Sequence, residues 1–130
     1  SPKHPDGYWR IGIQHPLKPR GNYIAVLKTL NQSVVTSGVY ERKFTIGDKN
    51  YHHILDPETG YPIDTQVAGL TIVSDQSIDG EIWTGRLFHE SPENIIAILE
   101  KLEGITVIVV TKEGELHYSI SLSPYLETIL

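Results

Sequence analysis

The sequence predicts an α+β fold, a largely antiparallel β-sheet with two helices, and two observations carry this prediction. Short β-rich runs separated by turn residues fill the first seventy or so residues, and two helical patterns then precede a closing hairpin. With 130 residues, the whole of 1–130 reads as a single domain with one core.

Tyr8-Trp9-Arg10-Ile11-Gly12-Ile13 alternates apolar and other side chains and reads as a strand, ended by a loop that His15-Pro16-Leu17-Lys18-Pro19-Arg20-Gly21 punctuates with breakers. Residues 23–30 and 32–37 read as a hairpin across Asn31, and residues 40–46 and 49–55 as a tighter one across Gly47-Asp48. Asp56-Pro57-Glu58-Thr59-Gly60-Tyr61-Pro62 stops any regular element, because its prolines fix φ and remove donors. Residues 67–74 resume as a strand.

The first helix runs from Ser77 as cap to about Phe88, with Ile78, Ile82, Trp83 and Leu87 at helical spacing. The second has stronger start signals: Ser91 at the N-cap, Pro92 at the first helical position and Glu93 in the first turn. Gly104 stops it, and Ile95, Ile96, Leu99 and Leu102 form its apolar stripe. Residues 105–111 and 116–122 then bracket Lys112-Glu113-Gly114-Glu115 as a closing hairpin. Trp9 and Trp83 are assigned to core packing ahead of stacking on a ligand, since large aromatics bury the most area.

Composition excludes several functions. A hydrophobic fraction of 39% and a charged fraction of 21% suit a folded domain, and a net charge of −5 argues against an electrostatic grip on nucleic acid. Cysteine is absent, which removes disulfides, thiolate metal sites and cysteine nucleophiles. No run of apolar residues is long enough to span a bilayer, and the opening Ser1-Pro2-Lys3-His4-Pro5-Asp6 is not a signal peptide, so any anchor or export signal is expected outside this chain.

Three groups of residues carry chemistry. His52 and His53 end a strand before a rigid turn, and adjacent strand side chains face opposite ways, so at most one serves a given site. A histidine there can take a hydroxyl proton as a general base, or simply be structural. Asp75, Asp79 and Glu81 gather at the start of the first helix, where acids favour the helix dipole and where a magnesium ion bridging to phosphate would also find oxygen ligands. Thr36-Ser37-Gly38 offers hydroxyls and an unhindered backbone to a polar ligand, and equally makes an ordinary turn.

Taken in order, Trp9-Arg10-Ile11-Gly12-Ile13, Thr36-Ser37-Gly38-Val39-Tyr40-Glu41-Arg42 and Tyr51-His52-His53-Ile54-Leu55-Asp56-Pro57-Glu58-Thr59-Gly60-Tyr61-Pro62 resemble consecutive motifs of the ApbE family. The last is the most specific, and the resemblance covers residues 7–88 and corresponds to the C-terminal half of an ApbE-like domain. It implies an FAD:protein FMN transferase, which uses Mg2+ to move FMN from FAD onto a threonine or serine hydroxyl of an acceptor flavoprotein and releases AMP.

On that resemblance His53 is the base. Thr36, Ser37, Gly38, His53 and Ile54 would contact the cofactor, and Glu81, Gly85 (through its backbone) and Asp79 as a substitute ligand would hold the metal. The family has Asp and Thr where Glu81 and Gly85 stand here, and its glycine-rich FAD-holding segment is absent. Val39 replaces a common acid, and His89-Glu90-Ser91 replaces small residues. The resemblance also implies partners, either the missing N-terminal half or another copy of the chain, and an extracytoplasmic, membrane-associated location of the lipoprotein kind. The alternative reading is a non-catalytic flavin-binding or partner-binding module, which the loss of the threonine ligand at Gly85 favours.

Overall fold

The computed structural model describes residues 5–38, 43–46, 49–52, 65–75 and 86–129. Among them the chain forms β1 (Trp9–Gln14), β2 (Tyr23–Thr29), β3 (Ser33–Gly38), β4 (Lys43–Ile46), β5 (Lys49–His52) and β6 (Val67–Ser74), then α1 (Pro92–Glu100). After it come β7 (Ile105–Thr111), β8 (Leu116–Tyr118), a 3-10 segment (Ile120–Tyr125) and β9 (Leu126–Thr128). All the strand pairings are antiparallel, and the α+β class expected from the sequence is the one observed.

The centre of the molecule is a four-stranded sheet in the order β3-β6-β7-β8. Alternation along β7 explains how it is covered on both sides. Val107 and Val109 face α1 and join Leu70, Ile72, Leu87, Phe88, Ile95 and Leu99, while Ile108 and Val110 face the other way. There they meet Ile13, Ile24, Ala25, Leu27 and Leu122 of a three-stranded sheet in the order β1-β2-β9 and the 3-10 segment. Every residue of β6 is buried in consequence.

Two irregularities adjust these faces. Ala68 has no partner where Val67 pairs with Thr111 and Gly69 with Val110, and this extra residue returns Val67 to the face of Leu70 and Ile72. A second bulge, opposite Ile13 and Gln14, lets Ile24 and Ala25 both be buried. In β1, Gly12 takes no side chain because the Tyr23 ring lies over it, 2.6 Å from where a Cβ would stand.

Helix α1 starts as its sequence predicts. Ser91 Oγ accepts from the Asn94 N–H at 3.2 Å, Pro92 follows, and Glu93 lies in the first turn. The helix ends at Glu100, and Gly104 adopts φ +75 before β7. Of the expected first helix, the described end at Arg86 and Leu87 is helical, with Leu87 and Phe88 buried. No helix among the described residues is long and apolar enough to cross a membrane.

Four expectations need correction. Residues 23–30 and 32–37 do not form a hairpin: both edges of β2 are taken, by β1 and β9, so β3 crosses to the other sheet and pairs with β6. The crossing is made in three residues, with the Gln32 N–H donating to the Leu30 carbonyl at 2.9 Å. The strand expected through residue 122 stops at Tyr118. Ser119 is buried there, its hydroxyl accepting from the Val107 N–H at 3.0 Å, and the chain turns into the 3-10 segment that Pro124 suits. Leu102 falls beyond the helix and is 36% exposed, and Trp9, assigned to the core, is 38% exposed on an edge strand. The tight second hairpin is observed in its backbone, with Ile46 paired to Lys49 across two residues.

The start of β1 is fixed by Asp6, whose carboxylate accepts from both guanidinium nitrogens of Arg10, at 2.7 and 3.1 Å, and from the Tyr8 N–H at 3.2 Å. The Arg10 hydrogen bonds, with help from the Tyr8 amide, hold the Asp6 carboxyl well below the usual carboxylate range. A depressed carboxyl contributes stability above its unfolded pKa and loses it as pH falls towards the folded value. Asp6→Asn should therefore lower stability in the neutral region, by a difference from the parent that closes as pH falls, so that the acid side of the stability curve is flatter, as chemical denaturation at stepped pH will show. Gly104→Ala should cost about 1 to 2 kcal/mol, because a side chain at positive φ is strained and its Cβ would stand 2.9 Å from an Asp75 carboxylate oxygen. The urea midpoint should fall with an unchanged slope.

Candidate functional site

The four-stranded sheet has one end at which the chain makes a long excursion. β3 finishes at Gly38, which pairs with Gly69, and the chain re-enters at Thr65 to begin β6. The β4–β5 hairpin and residues 53–64 lie in that interval, so the segment that contains His53 and Ile54 leaves and returns at the end of the sheet where Thr36, Ser37 and Gly38 stand. His53 and Ile54 themselves lie outside the described residues, as do Glu81, Gly85, Asp79, Val39 and Trp83.

Thr36, Ser37 and Gly38 do not act as one surface. Thr36 pairs with Thr71 and Ser37 with Leu70, so their side chains emerge on opposite faces. Thr36 Oγ1 and Thr71 Oγ1 are 3.2 Å apart, a cross-strand hydroxyl pair in which Thr71 is buried and Thr36 exposed. Ser37 emerges on the α1 side. Gly38 and Gly69, both buried, place two residues without side chains opposite each other at the last described pair of the edge.

The same sheet end carries residues that the sequence did not single out. A cavity of about 480 Å³ is lined by Thr65, Gln66, Thr111, Lys112, Glu113 and Glu115. Thr65 Oγ1 accepts from the Val67 N–H at 3.1 Å and fixes the re-entry, and the Lys112 N–H donates to the Gln66 carbonyl at 2.8 Å, extending the β6–β7 ladder by one step. The hairpin beyond closes through Gly114 at φ +88, with the Glu115 N–H donating to Thr111 Oγ1 at 3.0 Å. Hydroxyl, amide, ammonium and carboxylate groups thus border one concave surface. Only the pairing of Val67 with Thr111 brings Lys112 here, and a turn-like Lys-Glu-Gly-Glu sequence holds no sign of that pairing.

Asp75, grouped with Asp79 and Glu81 by sequence, stands at the other end of β6. It lies six positions along the chain from Gly69, about 20 Å of extended chain, and its carboxylate faces Gly104. Among the described residues no group of three or more His, Asp or Glu is placed to hold a metal ion.

Helix α1 packed on antiparallel sheets, among the described residues, defines a class that comparison with known proteins identifies. The model described as the ApbE family matches residues 2–109, and the chain belongs to that family. It is 43% identical over 113 residues to the FAD:protein FMN transferase of Klebsiella pneumoniae (strain 342), covering 87% of this chain and 36% of that protein. Among solved structures, the ApbE protein of Thermotoga maritima superposes with a TM-score of 0.77 at 26% identity, over 91% of this chain and 38% of that one. The flavin transferase ApbE of Vibrio cholerae superposes with a TM-score of 0.65 at 28% identity, over 90% and 37%. The chain thus spans little more than a third of the length of these relatives, a smaller share than the half implied by its motifs.

The threonine pair makes an asymmetric prediction. Thr36→Val strands a buried hydroxyl on Thr71 and should cost about 1 kcal/mol or more, whereas Thr71→Val leaves Thr36 open to water and should cost less. Equal losses in urea unfolding would show that the hydroxyl pair does not govern this edge.

Proposed function

We propose that this chain takes part in moving FMN from FAD to a hydroxyl of an acceptor protein. The observation that carries the reading is the run from Tyr51 to Pro62, in a family whose curated relatives are named FAD:protein FMN transferase. The described chain leaves β3 at Gly38 and begins β6 from Thr65 at the same sheet end, and this supports it.

In this reading the acceptor is a threonine or serine. His53 takes its hydroxyl proton as the oxygen bonds to the phosphorus of the FMN half. The bond from that phosphorus to the bridging oxygen breaks, and AMP leaves with the electron pair. Such a displacement asks mainly for positioning. In this reading Ser37 and the backbone at Gly38, together with Ile54, supply it, since glycine lets a ligand approach the backbone, while Thr36 holds the strand through Thr71.

The donor set of Glu81, Asp79 and the Gly85 carbonyl is all oxygen, which suits Mg2+ in kind. When bound, the ion would neutralise diphosphate charge. Placement of the activity outside the cytoplasmic membrane, in a membrane-associated protein, belongs to the same proposal and follows from family resemblance.

A second reading is favoured by Gly85, which replaces a hydroxyl ligand by backbone alone: a module that holds flavin without turnover. Intact-mass analysis of a threonine-containing acceptor with FAD and Mg2+ separates the two. The transferase reading expects the mass of FMN on the acceptor, lowered about 10²- to 10⁴-fold by His53→Ala and raised by Gly85→Thr. Flavin retained on the chain with no transfer from either the parent or Gly85→Thr would favour the module. Neither transfer nor retained flavin would overturn both.

A further inference from the structure

The end of the four-stranded sheet opposite the candidate site carries a different surface. Two cavities meet there, of about 300 and about 590 Å³, and Gln32, Thr106 and Ser121 line both. Leu30 and Tyr125 border the first, Leu102 and Ile120 the second. Among the described residues these are four of the eight large apolar side chains that remain exposed, and Ile120, at 78%, is the most exposed of them. Apolar side chains gathered in one groove mark a surface that is covered in use.

Charge along the groove indicates what covers it. Lys28 stands in the first cavity, and Asp75 and Glu100 stand in the second, with neutral Gln32, Thr106 and Ser121 between. A two-fold axis through that neutral middle would set Lys28 of each copy against Asp75 and Glu100 of the other, and lay the apolar residues of both together. That is the self-complementarity an isologous contact requires. We propose that this groove is the contact between two copies of the chain. The contact leaves the sheet end of Gly38 and Thr65 free in both copies, and it does not depend on the flavin reading.

Sedimentation over a wide concentration range tests it with four proteins. The parent should dimerise. Ile120→Asp and Lys28→Glu should each weaken the dimer at least about tenfold, the latter because it sets like charges together at two symmetric places. Lys28→Glu combined with Asp75→Lys and Glu100→Lys should restore association to near the parent, since the swap re-forms opposite charges across the axis. Circular dichroism checks that each variant is folded, which exposed Ile120, Asp75 and Glu100 and half-buried Lys28 should allow. A parent that stays monomeric at every concentration, as it would if the groove served a different partner, overturns the proposal. So does a dimer indifferent to Ile120→Asp, or a charge swap that fails to restore what Lys28→Glu removes.

Discussion

The pairing of β6 with β7 is the constraint on which the remaining structure depends. These strands are buried on both faces, so each needs apolar residues at successive positions and a covering layer on each side. α1 with Leu87 and Phe88 provides one cover, and β1, β2 and the 3-10 segment provide the other. Neither cover has an apolar surface of its own to stand on without the central pair. The register is held by more than apolar alternation. The unpaired Ala68 turns Val67 back to its face, and the Lys112 N–H carries the ladder beyond the strand. A slip of one residue would turn Ile108 and Val110 to the helix and present Val107 and Val109 to the three-stranded sheet, where the loss of Ile108's extra methylene would leave space.

A central pair of this kind also decides where loops can do chemistry. Residues within β6 and β7 are occupied by packing, and ligand-binding groups fall to the sheet ends and edge strands. At one end β3 finishes, the chain begins β6 and the β7–β8 hairpin turns. Gly38 and Gly69 meet there without side chains. At the other end, Asp75 and Gly104 lie beside the α1 terminus. The two ends carry different residue types, polar and backbone-rich in one case, apolar with separated charges in the other, and the inferred functions divide in the same way.

Much of the fold was legible in the sequence because its signals are local. The Ser91-Pro92-Glu93 start of α1, the run of residues 67–74 and the Gly114 hairpin each state their structure within a few residues. Partnership is not local. Residues 23–30 and 32–37 look like hairpin strands by composition, and only the prior claim of β1 and β9 on β2 sends β3 elsewhere. Leu102 has helical spacing but lies past the Lys101 cap, and Trp9 lies on an edge strand, where it is 38% exposed. For the site, sequence motifs point to His53 and Thr36 to Gly38, but they could not show that Thr36 and Ser37 face opposite sides, nor that Lys112 lies at the same end.

The opposite faces of Thr36 and Ser37 sharpen what the Thr-Ser-Gly segment can do. Thr36 is committed to Thr71, a buried hydroxyl that otherwise loses its partner, so its first role is to hold β3 in register on β6. Ser37 and the backbone around Gly38 are then the parts of the segment available to a ligand, and they lie on the α1 face of the sheet. A diphosphate approaching that edge would meet one hydroxyl and unhindered backbone rather than two hydroxyls. Under the proposed function the triplet would divide between structure and recognition at the boundary between Thr36 and Ser37: substitutions at Thr36 should act through the strand, and those at Ser37 on a ligand held at the edge.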